Sequence, residues 1–223
     1  MKFSSTLILF IFFKATLLAQ SFKLDTVLVM KGMKFHIHTK ELNKESLLLI
    51  VERNSEITST DTLENAIFYF KIFDFNKDNF PDIFFSYIGN NPTENLLLFD
   101  QTNNRFHQVE NFDSYPDALP VTSSSGLYYS YHRAGCADLI WVSDLFKIQN
   151  FKTVHLGQIY GDACSTDPGE ESFYIKIYKV ISKDNDSLSL IQKLSHSVTS
   201  KYKDIKWGFI KHYWNKNFRK FMN

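Results

Sequence analysis

Nine residues constrain this chain more than any other stretch: Asp74-Phe75-Asn76-Lys77-Asp78-Asn79-Phe80-Pro81-Asp82. Oxygen-bearing side chains fall at loop positions one, three, five and nine. That spacing suits Ca²⁺, a hard cation that takes six to eight oxygen ligands. Asp74, Asn76, Asp78 and Asp82 offer side-chain oxygens, and Phe80 its backbone carbonyl. An EF-hand would need Gly at position six and a bidentate Glu at position twelve; here those positions hold Asn79 and Phe85. Asn tolerates the left-handed backbone of a sharp turn. The missing Glu implies that Asp82 closes the cage and that no EF-hand helix follows. The flanks, Ile67-Phe68-Tyr69-Phe70-Lys71-Ile72-Phe73 and Ile83-Phe84-Phe85-Ser86-Tyr87, are β-branched and aromatic runs that read as strands. The predicted unit is strand, ion loop, strand. Three crowded carboxylates repel unless a cation neutralises them, so structural Ca²⁺ is the expected cofactor, against the plainer reading of a solvated acidic turn.

Residues 1–20 read as a secretory signal peptide: Lys2 gives the positive start, residues 7–13 are apolar, and Leu17-Leu18-Ala19 precedes the cleavage point. The apolar run is shorter than the ~20 residues a membrane span needs, and Lys14 interrupts it. Without this segment, 23 Lys and Arg face 24 Asp and Glu. A near-neutral chain argues against a nucleic-acid partner. The remaining residues, 21–223, suit one domain in the periplasm or outside the cell. Cys136 and Cys164 are the only cysteines. In an exported chain such a pair implies a disulfide, and closing about 29 residues is worth ~3–4 kcal/mol by chain entropy.

The rest reads as mainly β: antiparallel hairpins in a sandwich or a partial propeller-like arrangement. The 22 Phe and 11 Tyr suit pleated, half-buried surfaces. Strands are predicted on either side of Lys31-Gly32, with Phe35 and Ile37 on one face and His36 and His38 on the other. The two histidines read as solvated, since the sequence offers no third metal ligand beside them. Further strands are predicted over 47–52, 126–132, 139–142 and 151–157, with a hairpin on either side of Asp100-Gln101-Thr102-Asn103-Asn104 and a longer one over 172–194. Asn185-Asp186-Ser187 fits a glycosylation acceptor. Residues 201–221, where lysines alternate with Trp207, Phe209, Tyr213, Trp214, Phe218 and Phe221, read as a terminal strand pair with solvated lysines.

The loop at 74–82, followed by Leu98-Phe99-Asp100, Thr102 and Phe106, resembles bacterial secreted proteins whose pattern is D-x-N-x-D-G-x-x-D and then a short hairpin. The loop also looks like those of FG-GAP and VCBS repeats in adhesion proteins. The single-domain group includes a periplasmic immunity protein against a muramidase effector and is similar in fold to lysozyme inhibitors. The resemblance covers residues 47–131; Asn79 departs from the glycine, and the segment from Cys136 to Cys164 has no match. Lysozyme inhibitors insert a Ser-Gly-x-x-Tyr loop into the enzyme cleft. Ser125, Gly126 and Tyr129 fit that pattern and are the candidate partner-binding residues, against the plainer reading of a loop entering a strand.

Three functions follow in order of expectation. The first is a calcium-loop binding module whose protein partner is a peptidoglycan hydrolase. The second is an FG-GAP- or VCBS-like adhesion domain, which tandem repeats would favour and this chain lacks. An enzyme comes last: Gly-x-Ser-x-Gly, His-Glu-x-x-His and a phosphate-cradling glycine loop are absent from the sequence, which leaves only a carboxylate pair such as Asp113 and Asp117 to consider.

Overall fold

The computed structural model describes residues 22–64, 66–164, 173–182 and 187–222. The signal-peptide segment, residues 165–172 and most of the glycosylation acceptor lie outside the described residues. The chain is mainly β and antiparallel throughout its strand pairings. Strands β1 (Asp25–Met30), β2 (Met33–Glu41), β3 (Ser46–Arg53) and β4 (Glu56–Glu64) form a first sheet in chain order. Tight turns join them. Lys31 and Gly32 carry φ of 47° and 80°, Asn54 and Ser55 of 53° and 66°, the positive values that two-residue hairpin turns require.

A second sheet holds β5 (Ile67–Phe73), β6 (Asp82–Tyr87), β7 (Thr93–Asp100) and β8 (Arg105–Gln108), again in chain order. The third runs β15-β14-β13-β12-β10-β9, with β11 also paired to β12. Its strands are β9 (Leu119–Pro120), β10 (Leu127–Tyr129), β11 (His132–Gly135), β12 (Ile140–Gln149), β13 (Lys152–Asp162), β14 (Tyr174–Ser182) and β15 (Ser187–Ser195).

Period-two alternation places the second sheet between the other two. On β7, Leu97 and Phe99 join Phe35, Ile37, Leu49 and Val51 of the first sheet in one buried cluster. Leu96 and Leu98, one step out of phase, pack with Phe112, Tyr128 and Phe146 towards the third sheet. Neighbouring residues thus serve opposite cores, which is why Leu96-Leu97-Leu98-Phe99 is a continuous apolar run rather than an alternating one. Polar clips hold the layers in register. Ser59 Oγ donates to Phe106 O at 2.9 Å and accepts from Phe106 N at 2.9 Å, joining the first two sheets. Asn91 Nδ2 donates to Arg133 O at 3.0 Å and Arg133 N donates to Asn91 Oδ1 at 2.9 Å, joining the second sheet's β6–β7 connection to the third. Cys136 and Cys164 form the expected disulfide, with Cα atoms 6.1 Å apart.

The C-terminal expectation is overturned. Residues 201–221 are not a strand pair: α1 (Ile205–Asn217) and short 3₁₀ turns cover the outer face of the third sheet. Phe209, Ile210, Tyr213 and Trp214 are buried together, because spacings of three and four residues align them on one helical stripe. Trp214 Nε1 donates to Ser143 Oγ at 2.9 Å, and Tyr213 Oη to Gln192 Oε1 at 3.0 Å. The alternation of lysines with aromatics conceals this stripe when the segment is read with a period of two. No helix among the described residues is long and apolar enough to cross a membrane.

Gly161 lies opposite Trp141 in the β12–β13 pairing. A Cβ there would sit 2.2 Å from Trp141 Cε2, and the indole is buried and cannot move aside without repacking. Gly161→Ala is therefore expected to destabilise the protein by ~1–3 kcal/mol, the usual range for overpacking, measured as a lower midpoint in urea unfolding. An unchanged midpoint would mean that Trp141 has room to shift.

Candidate calcium loop and the groove beside it

The 74–82 loop leaves the second sheet after Phe73 and returns at Asp82, and these two residues pair with each other across β5 and β6. The expected strand–loop–strand unit is therefore present. Its side chains fold back on their own backbone. Asp74 Oδ1 accepts from Asp78 N at 3.0 Å and Oδ2 from Asn79 N at 2.9 Å. Asn76 Oδ1 also accepts from Asp78 N, at 3.1 Å, and Asp78 Oδ1 accepts from Phe80 N at 2.9 Å. These are the local side-chain turns that Asp and Asn favour. Asn79 has φ of 69° and Lys77 of 61°, so Asn79 does take the left-handed turn that glycine would otherwise supply. Gln101 reaches over from the β7–β8 turn and donates to Asp78 Oδ2 at 3.3 Å.

Asp82 is different. It is 0% exposed. Its Oδ2 accepts from Phe75 N at 2.9 Å and its Oδ1 from Phe99 N at 3.0 Å. Burial pushes its carboxyl up to about 7, opposed by these N–H donors and reinforced by the charge of Asp78. The donor set of the loop is all hard oxygen, which fits Ca²⁺ better than a metal that prefers nitrogen or sulfur. A carboxylate oxygen that accepts one N–H keeps a second lone pair, so the atoms that shape the loop remain able to face a cation. In this conformation the carboxylates of Asp74, Asp78 and Asp82 do not all bring an oxygen within 4.8 Å of one another.

The Ser125-Gly126 turn lies beside this loop. Ser125 and Gly126 are exposed, and Gly126 has φ of +72° with open space around it, so backbone conformation rather than crowding calls for glycine. The turn and Phe75, Asn76 and Lys77 form the walls of a crevice of about 360 Å³. On the other side it is anchored to α1: Thr122 Oγ1 donates to Asn215 Oδ1 at 2.7 Å and Ser123 Oγ to Asn215 O at 2.7 Å. Tyr129 does not share the turn's exposure. It is buried in the third-sheet core and lines a second, larger cleft of about 720 Å³ with Phe73, Phe84 and Trp207. The two clefts share Phe75, Lys77 and Pro120 as walls. Ser125 and Gly126 therefore form one exposed feature, while Tyr129 belongs to the wall next door.

Four carboxyl groups line the larger cleft, Asp74, Glu94, Asp117 and Asp204, and the surroundings of two of them, Glu94 and Asp117, perturb the acid. Burial pushes Glu94 up to about 7, and the charge of Asp117 adds to the effect. Burial also raises Asp117. Asp113 stands exposed on a separate 3₁₀ turn and is not among the cleft's lining residues, so the acid beside Asp117 is Glu94. A signal for Glu94 was present in the sequence: by alternation it shares a face with Leu96 and Leu98, an acid on a core-facing register.

No family model matches the chain, and the comparison with curated proteins finds no match. Among solved structures, the chain is similar to a Xanthomonas type IV secretion system related protein, with a TM-score of 0.46 and 15% identity over 75% of this chain and 93% of that one. A superposition of that quality leaves function to be read from the residues themselves.

Glu94 generates a pH prediction. Its folded-state carboxyl titrates near 7, above the ordinary 4.5, so the folded protein binds this proton more tightly than the unfolded chain. The contribution is constant below about 4.5, falls as pH rises to about 7, and is then fully lost. Glu94→Gln should make the fall in stability between these pH values shallower in a series of urea melts. A parallel series for the two proteins would place the titration elsewhere.

Proposed function

We propose that this chain is an exported, calcium-stabilised binding module that presents its Ser125-Gly126 turn to a cell-wall hydrolase and inhibits it. One observation carries the reading: the exposed turn is tied to α1 through Thr122 and Ser123 and faces the 74–82 loop across a shared crevice. A small turn already tied to a helix loses little freedom on entering an enzyme cleft. The Ser125 hydroxyl can donate a hydrogen bond to a catalytic carboxylate, and Gly126 permits close approach. The disulfide supports export, since such bonds persist in oxidising compartments.

In this reading Ca²⁺ neutralises Asp74, Asp78 and Asp82 and fixes the loop that faces the turn across the crevice. Saturating Ca²⁺ at 100 times its Kd should stabilise the fold by about 2.7 kcal/mol, a rise in melting temperature of about 5–11 °C at the usual scale for 150–250 residues. Asp74→Asn with Asp78→Asn keeps an oxygen acceptor at both positions and removes two charges, and it should abolish the gap between calcium and chelator. Identical melts for the native protein in calcium and in chelator would end the calcium assignment. Asp82 is unsuitable for this test because its two backbone hydrogen bonds matter with or without an ion.

The partner is tested by muramidase turnover on peptidoglycan with the protein added in calcium. Inhibition should reach one-to-one stoichiometry, and Ser125→Arg should weaken it at least ~10-fold, about 1.4 kcal/mol, with an unchanged melting temperature. Tyr129→Ala would instead remove a buried core ring. If Ser125→Arg inhibits as well as the native protein, the turn is not the contact.

A second reading draws on Glu94 and Asp117, since raised carboxyls in an apolar cleft are also the pattern of glycan hydrolysis. Turnover of peptidoglycan fragments by the protein alone, abolished in Glu94→Gln, would favour it over inhibition.

A further inference from the structure

The outer face of the first sheet carries a second cluster, remote in sequence from the 74–82 loop. His36 and His38 are two residues apart on β2, so both rings leave the same face, and they stack with centroids 4.6 Å apart. The β2–β3 register sets Glu52 directly opposite His36, with Glu52 Oε2 3.6 Å from His36 Nδ1. From the other side, β1 brings Asp25 Oδ1 to 2.9 Å from His36 Nε2. His38 Nδ1 is buried and has no hydrogen-bond partner. His36, His38 and Glu52 each offer one ligand atom within 4.8 Å of the others, and among the described residues this is the group of His, Cys, Asp and Glu that meets that condition.

We propose that His36, His38 and Glu52 bind a divalent transition-metal ion of the Zn²⁺ class, with Asp25 orienting His36. The chemistry of the donors separates this site from the calcium loop. Two imidazoles and one carboxylate suit Zn²⁺ and its neighbours, whereas Ca²⁺ takes oxygen alone. An ionised carboxylate only accepts, so Asp25 accepts a hydrogen bond from His36 Nε2–H, which in the neutral ring leaves the Nδ1 lone pair on the side of Glu52. A carboxylate behind a metal-ligating histidine is the usual way to set its tautomer and ring angle. Ligand atoms around a tetrahedral zinc lie about 3.3 Å apart, given Zn–N and Zn–O bonds of about 2.0–2.2 Å. The 3.6 Å between His36 Nδ1 and Glu52 Oε2 is close to that. Three protein ligands leave a fourth position for water or an outside donor, as in open zinc sites. The third ligand was hidden because Glu52 lies 14 residues beyond His38, and only the strand register brings it across.

The test is calorimetric titration of the full protein, disulfide intact and calcium in excess, with Zn²⁺ alone. One equivalent should bind and should not be displaced by more calcium. His38→Ala and Glu52→Gln should each weaken binding at least tenfold. Asp25→Asn, which touches no metal in this scheme, should weaken it by about 10–100-fold. Melting curves in chelator establish that each variant is folded. Three results would overturn the proposal: no saturable one-to-one binding, equal affinity in folded His38→Ala, or displacement of Zn²⁺ by Ca²⁺.

Discussion

Asp82 opens β6, and its carboxylate joins three parts of the molecule that are separate in sequence. One oxygen accepts Phe75 N from the loop and the other accepts Phe99 N from β7. The group is fully buried, so each hydrogen bond replaces a water the carboxylate has lost. Losing either would leave a buried acceptor unsatisfied, at a cost of about 1–3 kcal/mol or more. The loop that bears Asp74, Asn76 and Asp78 is thereby fastened to the middle sheet, and Phe75 is held where it stacks on Tyr128 of the third sheet, with ring centroids 4.8 Å apart. The middle sheet, the loop and the neighbouring β10 strand depend on one side chain.

From this anchor the layers follow by alternation. Leu97 and Phe99 turn towards the first sheet, Leu96 and Leu98 towards the third. Phe35, Phe99 and Phe106 meet edge to face in the first interface, an arrangement that adds specific geometry to burial. The third sheet turns its other face to α1, where Trp214, Phe209 and Ile210 close the core. The phenylalanine-rich composition therefore feeds several distinct interfaces. The turn carrying Ser125 and Gly126 lies where the loop, the third sheet and α1 come together.

The strand–loop–strand frame around residues 74–82 was legible in the sequence. Asp74, Asn76 and Asp78 accept from backbone N–H groups two to five residues ahead, contacts local enough to follow from their spacing along the chain. The Cys136–Cys164 bond was legible from compartment and count. The helix at Ile205–Asn217 was not, since Lys206, Lys211 and Lys216 break the apolar stripe into fragments that also suit a strand. Tyr129 matched a short motif but is buried beside a different cleft from Ser125. A motif specifies order along the chain, whereas exposure depends on what packs over it.

By itself the sequence determined the local and periodic features. These are the strand alternation that puts Phe35 and Ile37 inside and His36 and His38 outside, the hairpin turns at Lys31-Gly32 and Asn54-Ser55, and the hard-oxygen loop at 74–82. Each rests on interactions a few residues long. Tertiary structure alone decided which acids become neighbours: Glu94 beside Asp117, and Glu52 beside His36. It also decided that Asp82 is buried while Asn79, three residues earlier, is exposed. Those outcomes depend on strand register and on layers from distant parts of the chain. Burial and charge proximity are properties of the packed whole, and no window of the sequence contains them.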